Sequence, residues 1–260
     1  METAVKRYDV VIVGAGIAGL TAAIYVARAG KSVLALETKA CGGQIVDALR
    51  VDNWPGDMGV SGTDLMKKIC AQAKELGAEV KYERVESVSE HGGGFAVKTD
   101  ENEYVAGAMI LAMGTEPRKL SEKQTQEADA RPISYCATCD GALYKDKPVV
   151  VVGSGNTAKH EIKYLEGIAS KVCHIHHDDP IPEDAEAVFV AIGRVPATEF
   201  LRGLVDLNSD GYVVAGENCV TSRPGVFAAG DCRTKSVRQL VTAAGDGAVA
   251  AGAAVKYLSK

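Results

Sequence analysis

Apolar residues along the chain fall into two kinds of run. Short β-branched runs at Tyr8–Val13 (YDVVIV), 31–36 (KSVLAL), 108–112, 148–152 (PVVVV), 171–176 and 187–192 predict strands of a buried, largely parallel sheet. Helical spacing over 16–29, 64–76, 156–166 and 239–258 predicts four helices, the first two closed by Gly30 and Gly77. From Glu79 to Val105 the pattern alternates, broken at HGGG and TDEN, and predicts a β-meander. Strand–helix–strand order at both 8–36 and 148–176 predicts two βαβ units.

The second unit is cut short. Only ten residues, 177–186, separate the strand at 171–176 from the next at 187–192. A parallel crossover carrying a helix needs a dozen or more residues, and Pro180 and Pro182 oppose a helix in this one. The polar segment 119–130 permits a helix and suits a linker or domain boundary.

Composition narrows the class. The 260 residues are 47% hydrophobic and 24% charged, as in a globular protein of one or two domains. A formal net charge of −5 argues against a general nucleic-acid binder. The start of the chain is polar and runs at once into a strand, so neither a signal peptide nor a membrane span is expected, and the cytoplasm is the expected location. Seven cysteines, an odd number, argue against a secreted disulfide framework. Cys41, Cys70, Cys173, Cys219 and Cys232 are scattered and read as small core fillers.

Two motifs carry chemistry. VVIVGAGIAGL places Gly14, Gly16 and Gly19 in GxGxxG spacing between a strand and a helix. The first glycine makes the turn, the second lets a pyrophosphate approach the backbone, and the third lets helix pack on strand. Glu37 ends the second strand, where a carboxylate can bond a ribose hydroxyl. The second motif, SYCATCDG, holds Cys136 and Cys139 as a CxxC. That spacing in a helix N-terminal turn brings two thiols within disulfide reach and favours one thiolate. Zinc would want a second such pair or suitably spaced histidines. Asp140 can act as a general acid for a leaving thiolate, or cap the helix, or both.

The order of motifs – GAGIAG, GGQ at 42–44, VDNWPG at 51–56, CATCD, GSGNTA at 153–158 and GVFAAGD ending at Asp231 – resembles the low-molecular-weight flavoprotein thioredoxin reductases over nearly the whole chain. The resemblance implies an α/β fold: a split FAD-binding Rossmann-like domain, parallel sheet plus β-meander, over 1–117 and 195–260. Inserted in it at 118–194 is a small truncated Rossmann-like domain bearing the CxxC. FAD would be held by Gly14, Gly16, Gly19, Glu37, Gly43, Gln44, Asn53, Gly114, Gly230, Asp231, Arg238 and Gln239. Trp54 stands where the family has an aromatic, with a core role as the alternative. Cys136 would attack the disulfide of thioredoxin, Cys139 would lie next to the flavin, and Asp140 would handle the proton. The family also implies a homodimer whose small domain rotates between two positions.

One departure bears on the reductant. NADPH-dependent members place HRR after the strand that follows GSGNTA, to pair with the 2′-phosphate; here stand His176, His177 and Asp178. Neutral histidine clamps a phosphate weakly, and Asp178 and Asp179 repel one. With the floor of the nicotinamide site also cut away, the chain looks like the ferredoxin-dependent flavin thioredoxin reductases, with the second glycine turn a structural relic. Arg233, Lys235 and Arg238 are candidates for a ferredoxin dock, a solvated basic face being the alternative. An NAD(P)H-dependent reductase with a compact site, a dithiol oxidase of the same fold and a non-enzymatic flavin module are the competing readings.

Overall fold

Thirteen short strands and six helices follow one another in the computed structural model, which describes residues 5–128 and 131–260. The expectations for the polar start before Val5 and for the end of the 119–130 segment lie outside the described residues.

The chain divides into two units, one of Met1–Thr115 with Pro196–Lys260, the other of Glu116–Val195. In the larger unit β1 (Lys6–Val13), α1 (Ile17–Arg28) and β2 (Val33–Leu36) form the first βαβ, and α2 (Gly62–Glu75) leads into β3 (Glu79–Lys81). Ser61 caps α2, its hydroxyl accepting from the Asp64 N–H, with Asp64 itself in the first turn. Strands β4 (Val85–His91), β5 (Gly94–Thr99) and β6 (Glu103–Leu111) follow. The sheet order is β3-β2-β1-β6-β5-β4.

Two sequence expectations change here. Strand β3 pairs parallel with β2, so the meander starts only at Val85. The apolar run at 108–112 is no separate strand but the end of β6. The first half of β6 pairs antiparallel with β5, Lys98 opposite Glu103, while its second half pairs parallel with β13 (Val226–Ala228), Met109 opposite Val226. A local alternation pattern cannot show that one strand serves two partners along one edge while β1 pairs along the other. Helices α1 and α6 (Leu240–Leu258) lie against each other over one face of the sheet, close enough that a Cβ on Gly247 would strike the Ala18 carbonyl. Their buried face is mostly alanine, glycine and small aliphatics, which permits that approach.

In the smaller unit β7 (Glu116–Pro117) pairs antiparallel with β12 (Arg194–Val195), so the two passes of chain into the unit run side by side. Between them lie α3 (Glu122–Glu127), β8 (Ile133–Ser134), α4 (Ala137–Asp140), β9 (Pro148–Val152), α5 (Asn156–Leu165), β10 (Lys171–Ile175) and β11 (Ala187–Val190). Four of the strands make an all-parallel sheet, β10-β9-β11-β8. Residues 176–186 hold no helix, and the sheet face over them is not bare. Ile181 and Ala185 from that loop and Leu120 and Ala128 from either side of α3 are buried on Val150, Val152, Val188 and Val190. Gln124, wholly buried, donates to the carbonyls of His176 and Asp179 and fixes α3 to the loop. The described part of the 119–130 segment is therefore a lid on the small core, not a linker.

Candidate functional site

In the larger unit three distant segments meet at the first turn of α1. Gly14 has φ +101°, and a Cβ there would strike the Ala112 carbonyl. Gly19 has no room for a Cβ against the Gly14 carbonyl, so the helix enters directly off the strand. The GGQ segment lies alongside, with Gly16 bridged to Gly42 and the Gly42 N–H donating to the Ala15 carbonyl at 2.8 Å. The GD segment comes from the other side, so that a Cβ on Gly230 would sit 2.9 Å from Ala18 Cβ. Glu37 Oε2 accepts the Ala15 N–H at 2.9 Å and Oε1 the N–H groups of Thr38 and Lys39, which ties the end of β2 to the glycine turn.

Around this cradle, the Gln44 side-chain amide donates to the Thr115 carbonyl next to Gly114 (φ +65°). Asn53 Nδ2 donates to Gln239 Oε1 at 3.1 Å, and Gln239 is the N-cap of α6 in a capping box with Thr242. Trp54 packs half-buried against the main core. Arg238 stacks on the Tyr212 ring at 4.4 Å and donates to the Asp231 and Arg233 carbonyls.

Behind Asp231 lies a group of charges that the sequence reading misplaced. Arg233 is 2% exposed and makes a two-pronged bond to Asp246 at 2.9 and 3.0 Å, and Lys235 Nζ reaches the same carboxylate at 2.7 Å. Asp246 Oδ2 also accepts the Gly230 N–H at 2.9 Å. Burial alone would raise the Asp246 carboxyl; Arg233, Lys235 and that amide outweigh it and hold the group below the usual carboxylate range. Arg233 and Lys235 thus belong neither to a surface dock nor to a solvated basic face. They fix the GD turn from beneath.

In the smaller unit Cys136 and Cys139 form a disulfide, with Cα atoms 5.3 Å apart. Cys136 is the N-cap of α4, and the N–H groups of Cys139 and Asp140 both donate to its carbonyl at 3.1 Å. Ser134, buried at the end of β8, joins the parts: its hydroxyl accepts the Cys136 N–H at 3.1 Å and donates to Asp140 Oδ2 at 2.7 Å. The carboxylate is thus held in place beside the pair. Neither Ser134 nor strand β8 was legible beforehand, because β8 is two residues long.

The second glycine turn keeps its shape. Gly153 has φ +147°, and a Cβ there would strike the Ala191 carbonyl. His174 Nε2 bonds the Gly153 carbonyl at 2.6 Å, and His176 Nδ1 bonds Ser154 Oγ at 2.8 Å. A cleft of about 670 Å³ opens beside the turn, lined by Arg118, Lys119, Ser154, Thr157 and His177 among others.

A scan of protein families matches the pyridine nucleotide-disulphide oxidoreductase model over residues 8–184 and 175–247. A thioredoxin reductase of Listeria innocua is 35% identical over 308 aligned positions, covering 100% of this chain and 97% of the relative. The alignment is longer than this chain, so the relative carries residues that are missing here. Among solved structures, a thioredoxin reductase from Streptococcus pyogenes superposes with a TM-score of 0.89 at 30% identity, covering 97% of this chain and 98% of that one. A ferredoxin-flavin thioredoxin reductase from Clostridium acetobutylicum gives 0.63 at 29%, covering 98% of each.

The chain belongs to the pyridine nucleotide-disulphide oxidoreductases. It is a flavin-dependent oxidoreductase with a redox-active disulfide, homologous to the thioredoxin reductases, and its cofactor is FAD. The convergence of Gly14, Gly16, Gly19, Gly42, Gly43 and Gly230 on one helix N-terminus, with no Cβ between the segments, fits a dinucleotide pyrophosphate.

Proposed function

We propose that this protein is a thioredoxin-disulfide reductase that passes electrons through the Cys136–Cys139 pair, acting in the cytoplasm as a homodimer. The observation that carries it is the disulfide at the N-cap of α4, with Asp140 held beside it by Ser134. When bound, FAD would supply the two electrons needed to open this disulfide. Cys136, as thiolate, then attacks one sulfur of thioredoxin's disulfide; that bond breaks and a mixed disulfide forms. Cys139 next attacks Cys136 Sγ, the pair closes again and thioredoxin leaves as a dithiol. Asp140 gives a proton to a departing thiolate. The cradle residues Gly14, Gly16, Gly19, Glu37, Gly43, Gln44, Asn53, Gly114, Gly230, Asp231, Arg238 and Gln239 hold the cofactor.

Under anaerobic conditions, protein carrying reduced FAD should convert thioredoxin to its dithiol in the wild type. Neither Cys136→Ser nor Cys139→Ser should do so while both keep their flavin spectrum. Turnover in either variant would overturn the reading.

For the donor we propose reduced ferredoxin, which delivers its electrons one at a time in two visits. Support comes from the shortened 176–186 loop, the acidic Asp178 and Asp179 in it, and the tie between His176 and Ser154 at the glycine turn. A second reading, NAD(P)H, is favoured by the 670 Å³ cleft and by Arg118 and Lys119 at its edge, two cations that could meet a phosphate. Replacing both with alanine separates the two. Under the first reading ferredoxin-driven turnover is unchanged. Under the second the KM for NADPH rises tenfold or more, on the order of the one or two charge-assisted bonds lost.

A further inference from the structure

Glu161, in the middle of α5, takes no part in the chemistry above. Helix α5 packs through Ala158, Ile162 and Leu165 on Ala137, the residue directly after Cys136, and the Glu161 carboxyl comes close enough to the Ala137 backbone N–H to be stabilised by it. One carboxyl oxygen, Oε2, is shut off from water and has no hydrogen-bond partner. A buried carboxylate oxygen with no donor is costly as an anion and far less so as a neutral acid. Burial accordingly pushes the group up to about 7, against the Ala137 amide and the Arg194 charge, which pull it down.

The other titratable groups nearby have different roles. Asp140 on α4 is bonded to Ser134, and Lys171 on β10 pairs with Asp184 at 2.7 Å. His174 on β10 bonds the Gly153 carbonyl, and Cys173 beside it is a free thiol packed at the edge of the small core. Strand β9 carries no ionisable side chain, and α5 itself adds Lys159, His160, Lys163 and Tyr164. Tyr144, after α4, lies edge-on to Phe189.

We propose that Glu161 is a positioning residue for the redox pair, and that it takes up a proton when the Cys136–Cys139 disulfide is reduced. The Ala137 amide, next in the chain to Cys136, favours the Glu161 carboxylate, and a Cys136 thiolate would add a second negative charge close by. One amide and one Arg194 do not hold both charges in a site partly cut off from water. In reduction by a dithiol, the S–S bond of the pair breaks and one forms in the reductant, which gives up two electrons and two protons. One proton stays on Cys139, the other goes to Glu161, and Cys136 remains a thiolate. The inference rests on the pair being redox-active and needs no particular physiological partner.

The test equilibrates the FAD-loaded protein anaerobically with dithiothreitol buffers from pH 5.5 to 8.5 and counts Cys136 and Cys139 thiols by alkylation and mass spectrometry. The reduction constant of Glu161→Gln is compared with that of the wild type. Below about pH 6.5 their ratio should be constant; above about pH 7 the variant should become progressively easier to reduce, approaching tenfold per pH unit. Glu161→Asp should follow the wild-type profile. A ratio that is flat across the range, whatever its value, overturns the proposal. Should the glutamine variant not fold, the infrared difference spectrum of the wild type, reduced minus oxidised at pH 8, decides instead. It should gain a protonated-carboxyl C=O band that persists in Asp140→Asn, and its absence would be equally fatal.

Discussion

Asp246 shows how a single carboxylate can carry a motif. It bonds Arg233, Lys235 and the Gly230 amide at once, in a place from which water is nearly excluded. Asp246→Asn would leave two buried cations without their counter-charge. Breaking such a pair costs about 3–5 kcal/mol, so urea unfolding at pH 7 should show a loss of that size, together with release of FAD. Because the native carboxyl is held low, its stabilisation is complete above the pKa of the unfolded chain and fades as pH falls through the native value. The gap between wild type and variant should therefore narrow in acid. Glu161 has the opposite sign. Its raised native value favours folding at low pH, and that contribution is lost as pH rises from the ordinary carboxylate range through about 7. Relative to Glu161→Gln, wild-type stability should fall by up to about 3 kcal/mol between pH 4 and pH 8, measured by denaturant unfolding. Neither role was legible in the sequence. Asp246 lies thirteen positions from Arg233 and shows no helical pairing with it, and nothing local tells that Glu161 comes near Ala137.

At the scale of elements, local chemistry was legible and shared edges were not. The glycine turn, the α1 pattern and the CxxC each involve residues within a few positions of one another, so spacing alone reveals them. The double pairing of β6, the two-residue β8 and the covering role of α3 depend on partners far along the chain. The tight crossing of α1 and α6 makes a test of packing. Gly247→Ala adds a methyl where the Ala18 carbonyl lies, and overpacking of this kind costs about 1–3 kcal/mol. Since α1 also opens the FAD cradle, the variant should bind FAD more weakly, which retained flavin absorbance after gel filtration would measure. Gly252, on the same helix with open space around its Cα, is the control and should tolerate alanine.

Across the whole molecule, the larger unit has every segment of a dinucleotide cradle, while the smaller has a glycine turn, a four-stranded sheet and a disulfide but no helix between β10 and β11. The helix-free link was legible because ten residues cannot hold a helix and its two connections. How the chain covers the exposed sheet face was not, since Ile181 and Ala185 sit in a stretch that reads as polar loop. Among the described residues no helix is long and apolar enough to cross a membrane. On the proposed reading, the reduced domain serves as the carrier of the cysteine pair and electrons enter from a protein donor. The most direct measurement follows the flavin absorbance of the purified protein without oxygen, with NADPH or NADH in one cuvette and catalytic reduced ferredoxin with its regenerating system in another. Bleaching by ferredoxin alone, followed by thioredoxin thiols, is the predicted result. Bleaching by NADPH within seconds at micromolar concentration would contradict it and make the cleft at Arg118 and Lys119 a working nucleotide site.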